Sequence, residues 1–351
     1  MKKAFYLVLG LGIGCDVVIG AKDYSENPEQ STKECAATIL STSPYPQATD
    51  MYYRNAVVFS LSEKDSNASV QLFDAMGEPI EGTQQWRDDS LIFTPSNPLL
   101  PSHRYTASID YCGSIEPVEI NFTTSWLGES LLDGHNMLIG KTFSVDLSSG
   151  NVVYPTGVGD LLKNLLQNTF LIQGIDAASS SVDLQLALSM ANSIEQNFCV
   201  PTIDDFPALD LSGSPYFSVK DSGIFIQIGG YEMTLYDFSV SGTIAPDASL
   251  FDWIRVKGKL DLREIYPIVS DFNFEFEDAD AFCSLMDGFE VPCEPCPSDG
   301  AAYCLSLDIE QLRAHEINQE IESVCAINCH ELCEDNSTEC ENPPQFDEVC
   351  D

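Results

Sequence analysis

Arg104-Tyr105-Thr106-Ala107-Ser108-Ile109-Asp110-Tyr111 alternates strictly between polar or charged and apolar residues. In an extended chain successive side chains point to opposite faces. Tyr105, Ala107, Ile109 and Tyr111 therefore share one face, and the stretch reads as a half-buried strand. Working outward, similar short runs stand at 38–40, ahead of Ser43-Pro44, at 56–60, 70–73, 84–87, 90–94 and 118–124. The third run closes in the turn Met76-Gly77-Glu78-Pro79, and Pro95 stops the fifth. Seven short strands with frequent turn signals predict an antiparallel β-sandwich over residues 37–125.

The order and spacing of these pieces resemble a known family, the bacterial Ig-like domains of the S-layer-associated type. Ser43-Pro44 with Ala48-Thr49-Asp50, then Val57-Val58-Phe59-Ser60, is similar to the family's opening. The run from Asp74 through Gly77 to Gly82 is similar to its D-x-x-G-x-x-x-x-G hairpin region. Leu91-Ile92-Phe93-Thr94-Pro95, Tyr105-Thr106-Ala107 and Phe122-Thr123-Thr124 match its later strands. The resemblance implies a spacer or adhesion-type module and not an enzyme. Cys112 departs from the usual pattern.

Residues 126–290 read as a β-rich second domain. Leu161, Leu162, Leu165 and Leu166 have helical spacing, whereas Val182, Leu184, Leu186 and Leu188 alternate as in a strand. Ile224, Ile226 and Ile228 lead into Gly229-Gly230, a hairpin signal, and Trp253 to Leu262 again has period two. The reading is an α+β domain with a curved, barrel-like antiparallel sheet and a helix across one end. Phe272, Phe274 and Phe276 suit a further strand. Residues 291–351 read as a disulfide-rich helical tail. Its helix runs from Asp308 to Cys333, with Ile309, Leu312, Ile317, Ile321 and Val324 as the apolar face and Cys325, Cys329 and Cys333 one turn apart. The fold class expected is mainly β.

Lys2-Lys3, the apolar run from Ala4 to Ile13, Gly14 and Cys15 resemble a bacterial lipoprotein signal, though Gly12 stands where that family has Leu. The run is shorter than the roughly 20 residues that span a bilayer. This resemblance implies that residues 1–14 are removed, that Cys15 is acylated, and that 15–36 form a tether rich in Gly, Ser, Asn and Pro. An ordinary secretory cut near Gly20-Ala21 is the competing reading. Three acyl chains, at about 0.8 kcal/mol per buried methylene, anchor durably. The expected place is the cell envelope, with the outer membrane favoured over the inner. Asp16 is the inner-membrane retention residue under the enterobacterial rule.

With 55 acidic against 16 basic residues, the formal charge is −39. A phosphate backbone is repelled by such a surface, which excludes nucleic acid as a partner. Thirteen cysteines leave an even twelve once Cys15 carries lipid, and outside the cytoplasm paired cysteines persist as disulfides.

Candidate chemistry is sparse. Cys293 and Cys296 form a C-x-x-C, but Pro292, Pro295 and Pro297 surround it and no β-α-β pattern precedes it, so bridging is read over redox activity. Zinc on these cysteines with Cys304, Cys325 and His330 lacks a second C-x-x-C at ribbon spacing. His330-Glu331 and His315-Glu316 both lack the second histidine of H-E-x-x-H. The acidic run Asp271, Glu275, Glu277, Asp278 and Asp280 could gather calcium but reads as a solvated strand and turn. His103 falls in a sandwich loop, and neither a nucleophile elbow nor a phosphate-binding loop is present. No catalytic residue, cofactor or metal is expected. The function expected is a structural, adhesion or binding role, the sandwich serving as spacer. The alternative is a carrier of an apolar ligand in the second domain, and the partners are the membrane and a protein or apolar ligand.

In a sandwich of this topology the first strand begins at the end where the sixth finishes, which places Cys35 near Cys112. The remaining bridges draw on Cys199, Cys283, Cys293, Cys296, Cys304, Cys325, Cys329, Cys333, Cys340 and Cys350, with connectivity open. A Cys35–Cys112 bridge closes a loop of about 77 residues and contributes on the order of 4 kcal/mol in the chain-entropy model. Non-reducing peptide mapping is expected to recover these two cysteines in one linked peptide, and free thiols at either position would refute the pairing.

Overall fold

The computed structural model describes residues 35–113, 116–156, 169–190, 192–198, 200–203, 205–228, 231–264 and 278–324. The first seven strands are those expected. β1 (Ile39–Ser43), β2 (Val57–Leu61), β3 (Ser69–Asp74), β4 (Gly82–Arg87), β5 (Ser90–Pro95), β6 (Arg104–Asp110) and β7 (Val118–Thr123) form two antiparallel sheets, ordered β1-β2-β5-β4 and β3-β6-β7. Alternation does the work here. Val57, Phe59 and Leu61 face Val70, Leu72, Ala107 and Ile109 across the sandwich and are almost fully buried, while Val58 and Ser60 between the first three are only half-buried.

The remaining strands curl into a barrel. β8 (Thr142–Asp146), β9 (Asn151–Tyr154), β10 (Thr169–Ala177), β11 (Ser181–Leu188), β12 (Leu209–Asp210), β13 (Tyr216–Ile228), β14 (Tyr231–Ile244), β15 (Leu250–Asp261), β16 (Glu294–Pro295) and β17 (Ala302–Ile317) belong to one sheet. Its order is β15-β14-β13-β12-β11-β10-β8-β17, and β17 pairs back to β15. The result is a closed up-and-down barrel in which most chain neighbours are also spatial neighbours.

The last strand corrects the sequence reading. The helix expected from Asp308 is instead β17 as far as Ile317, so the barrel continues past residue 290. Residues 325–333 of that expected helix lie outside the described residues, as do the leucine-rich helix at 159–167 and the Phe272–Phe276 strand. The cause of the misreading is a β-bulge. Leu307 and Ile309 point inward with period two; Gln311, at φ 61°, is the extra residue; Leu312 and Ala314 then resume the inward face. Inserting one residue converts a spacing of two into a spacing of three, which mimics a helical turn. The partner strand bulges opposite, between Phe251 and Ile254, where Trp253 has φ 54°.

That second bulge joins the two modules. Trp253 stacks on Tyr52 of the sandwich, with centroids 4.7 Å apart and ring planes at 10°. The buried Tyr52 hydroxyl lies 2.7 Å from Thr243 Oγ1 on β14, and the Arg54 guanidinium sits 3.8 Å over the Tyr216 ring. Burial raises the Tyr52 phenol well above its ordinary pKa, and the Thr243 hydrogen bond offsets only part of that. Outside the barrel, α1 (Ala279–Gly288) packs Phe282 and Met286 on Leu262, Val291 and Leu305. Asp278 caps it, its Oδ1 accepting from the Ala281 amide at 2.9 Å.

The bulge makes a clear prediction. Gln311→Gly relieves a left-handed backbone on a side chain and should raise stability by up to about 1 kcal/mol. Deleting Gln311 should abolish folding, because a one-residue slip turns Leu312 and Ala314 to solvent. Urea denaturation followed by circular dichroism measures both.

Candidate functional site

The barrel interior is the candidate site. Among the described residues, those that line its cavity are all apolar. Phe170, Leu186, Phe217, Leu235, Phe238 and Phe251 are among those lining a cavity of about 120 Å³, and no polar atom of the described residues reaches its surface. Phenylalanine rings meet edge to face around it: Phe143 with Phe251 at 4.5 Å, Phe217 with Phe251 at 5.3 Å, and Phe206 with Phe238 at 5.7 Å. Gly258 on β15 allows this packing, since a Cβ there would lie 2.5 Å from Leu235 Cδ1. With no donor, acceptor or titratable group, such a lining offers contact and desolvation but no acid–base or nucleophilic chemistry.

Among the described residues no charged group lines the cavity. Arg255 Nε and Nη2 donate to the two carboxylate oxygens of Asp308, each at 2.7 Å, and Lys257 Nζ stands 3.4 Å from the same carboxylate. Partial burial pushes the Asp308 carboxyl up; Arg255 and Lys257 more than offset this and hold it below the usual carboxylate range. The hydrogen bond to Asp308 raises the Arg255 guanidinium in turn. Lys259 pairs with Glu294, Arg313 with the buried Asp252, and Arg263 with the buried Asp261 and with Asp299.

The cysteines of the C-x-x-C bond to different partners. Cys293 joins Cys283 and Cys296 joins Cys304, so the pair is not a dithiol in this structure. A carboxylate oxygen of Asp261 lies within 4.8 Å of the Cys296 and Cys304 sulfurs, but that disulfide occupies the would-be metal ligands. Cys35 and Cys112 are each disulfide-bonded, and the Cys112 sulfur sits 3.8 Å from the Ala37 carbonyl oxygen. Cys15, Cys199, Cys325, Cys329, Cys333, Cys340 and Cys350 lie outside the described residues, as do His330, Asp271, Glu275 and Glu277. Of the acidic run, Asp278 is the cap of α1, and Asp280 accepts from the Tyr303 hydroxyl at 2.9 Å. His103 Nδ1 lies 2.6 Å from the Pro101 carbonyl oxygen in a sandwich loop, and His315 is exposed on β17.

Sequence reasoning missed Ile203 and Phe206, which lie between β11 and β12 and complete the cavity wall. They sit in an irregular stretch with Pro201 and Pro207, where no period marks an inward face.

Comparison with known proteins defines the first module. Residues 33–124 match the family profile of bacterial Ig-like domains. The chain thus carries an N-terminal Ig-like domain, whose general role is structural or binding. No curated protein sequence matches. Among solved structures, L,D-transpeptidase 1 of Mycobacterium tuberculosis is 12% identical over 60% of this chain and 83% of that one, at a TM-score of 0.23. The cycloalternan-forming enzyme of Listeria monocytogenes is 8% identical over 60% of this chain and 20% of that one, at 0.16. At these scores neither carries an argument.

The Asp308 cluster predicts a pH dependence. Its folded pKa lies below its unfolded value, so its contribution is present above about pH 4 and fades as pH falls through the folded pKa. Asp308→Asn should lower the melting temperature at pH 7, and the gap to wild type should close toward pH 2. A gap that is constant with pH would assign the loss to packing.

Proposed function

We propose that this protein is an exported lipoprotein of the cell envelope, attached through acylated Cys15, in which the Ig-like module is a spacer and the barrel binds an apolar ligand. The observation that carries the binding role is the cavity lining, which is apolar in every atom that reaches it. The spacer role rests on the placing of the sandwich ends. Cys112 and Ala37 are at the pole where β6 finishes, and Tyr52 and Tyr53 meet the barrel at the pole where β6 starts. Residue 37 thereby lies one sandwich length from the barrel. The S-layer-associated subtype and the outer membrane belong to this reading. On it the chain binds and does not catalyse.

The size of the cavity favours a second reading. About 120 Å³ is well below the roughly 300–1,000 Å³ of ordinary ligand pockets. A barrel that is simply a packed structural element fits that number. Native mass spectrometry of the full chain, released gently from envelopes, decides between the two. A co-purified apolar molecule supports the carrier, and a bare mass that takes up no added apolar probe supports the structural role.

Anchoring is tested separately. Cys15→Ser should move the protein from the membrane pellet to the soluble fraction. Retention in the pellet through high salt and alkaline carbonate would overturn the lipoprotein assignment.

A further inference from the structure

Among the described residues the barrel wall is weakly paired at β12. β11 and β12 pair at two positions, Ser181↔Asp210 and Val182↔Leu209. Between β12 and β13, Asp210↔Ser218 is the only pairing among the described residues. Yet β13 runs on to Ile228, and β11 runs on to Leu188. Strands flanking a missing neighbour stand two ladder spacings apart, roughly 10 Å. Along β11 this gap holds Ile203 and Phe206 of the chain that follows the strand. Ile203 forms a single bridge with Leu186, both of its backbone hydrogen bonds being made, at 2.8 and 3.1 Å. Phe206 then lies half-buried, edge-on to Phe238, as part of the cavity lining. Among the described residues the seam is therefore closed by one backbone bridge and the Phe206 side chain, not by a continuous ladder.

We infer that the ligand is an amphiphile with one unbranched alkyl chain, and that the chain enters the barrel through this seam past Phe206. The inference rests on the carrier reading above. Two constraints set the ligand class. The lining has no polar atom, so a headgroup taken inside would lose its hydration without compensation and must stay outside. A slot one strand wide passes an alkyl chain but not a fused-ring body. The cavity volume is close to that of the engineered apolar cavity of about 150 Å³ that stays dry and binds benzene. It therefore takes the last few carbons of such a chain, with the rest lying in the seam in place of the Phe206 ring.

The test uses the full chain and cis-parinaric acid, a straight-chain fatty acid that fluoresces in apolar surroundings, followed by stopped flow. Phe206→Ala should speed both uptake and release by about tenfold, as expected for removing a gate. Val118→Ala makes a similar truncation on β7 of the sandwich, outside the barrel, and should change either rate by less than about twofold. Phe206→Trp, which enlarges the plug, should slow both rates and keeps the test open if Phe206→Ala does not fold. Parinarate binding with rates that none of these Phe206 variants alters would overturn the route and leave the carrier reading standing. Cholic acid bound as tightly as parinarate would overturn the ligand class. No fluorescence gain in wild type and in Phe206→Ala alike would overturn this inference together with the carrier reading.

Discussion

β17 is hydrogen-bonded along both edges, to β15 through residues 304–315 and to β9 and β8 through residues 308–317. Without it β8 and β15 would be open edges of a long curved sheet, each presenting unpaired amides and carbonyls to any passing strand. Closure also fixes the inside of the barrel, because only a closed wall keeps the inward phenylalanines out of water on every side. The register along β17 is therefore the constraint on which the remainder rests. Its bulge at Gln311 and the opposing bulge at Trp253 let a long strand bend around the barrel without turning its apolar residues outward.

The same pair of bulges has a second consequence. An inward-outward alternation run without interruption would not bring Trp253 to the sandwich. The left-handed residue breaks the phase at that point, and the indole stacks on Tyr52 while Phe251 and Ile254 remain inside the barrel. Aromatic pairs of this kind contribute about 0.5–1.5 kcal/mol beyond the area they bury. Together with the Tyr52–Thr243 hydrogen bond and Arg54 over Tyr216, the stack couples the two modules through a small number of specific contacts. The disulfides Cys283–Cys293 and Cys296–Cys304 act at the other side, tying α1 and the β16 segment to the barrel's last strand. The core under α1 is small, built on Leu262, Phe282, Met286, Val291 and Leu305, so cross-links there add what burial alone supplies sparingly.

In a chain carrying a formal charge of −39, the placing of the few cations is informative. Arg255, Lys257 and Lys259 lie along β15 facing Asp308, Glu310 and Glu294. They neutralise acidic residues across the closing ladder, where like charges set side by side would weaken the pairing. None of these groups lines the cavity, and the described residues that do are apolar.

The sequence by itself determined the sandwich, strand by strand, because one face of each strand is buried and the other wet, and that asymmetry is written as period two. It also determined that the second module is a curved antiparallel sheet, through the runs around Val182–Leu188, Ile224 and Trp253–Leu262. It did not reveal β17, since an inserted Gln311 changes the period from two to three and a single chain cannot distinguish a bulge from a helical turn. Only the tertiary structure decided that Ile309 and Leu312 share an inward face, because they pair with Val256 and Ile254, which stand two residues apart on the partner strand and both face inward. Only the tertiary structure brought Ile203 and Phe206 to the cavity, since irregular chain carries no periodic signal and its inward side is set by the gap it fills. The disulfide partners were likewise beyond the spacing: Cys293 and Cys296 are three apart in sequence, yet each finds its sulfur on a different element, one on α1 and one on β17.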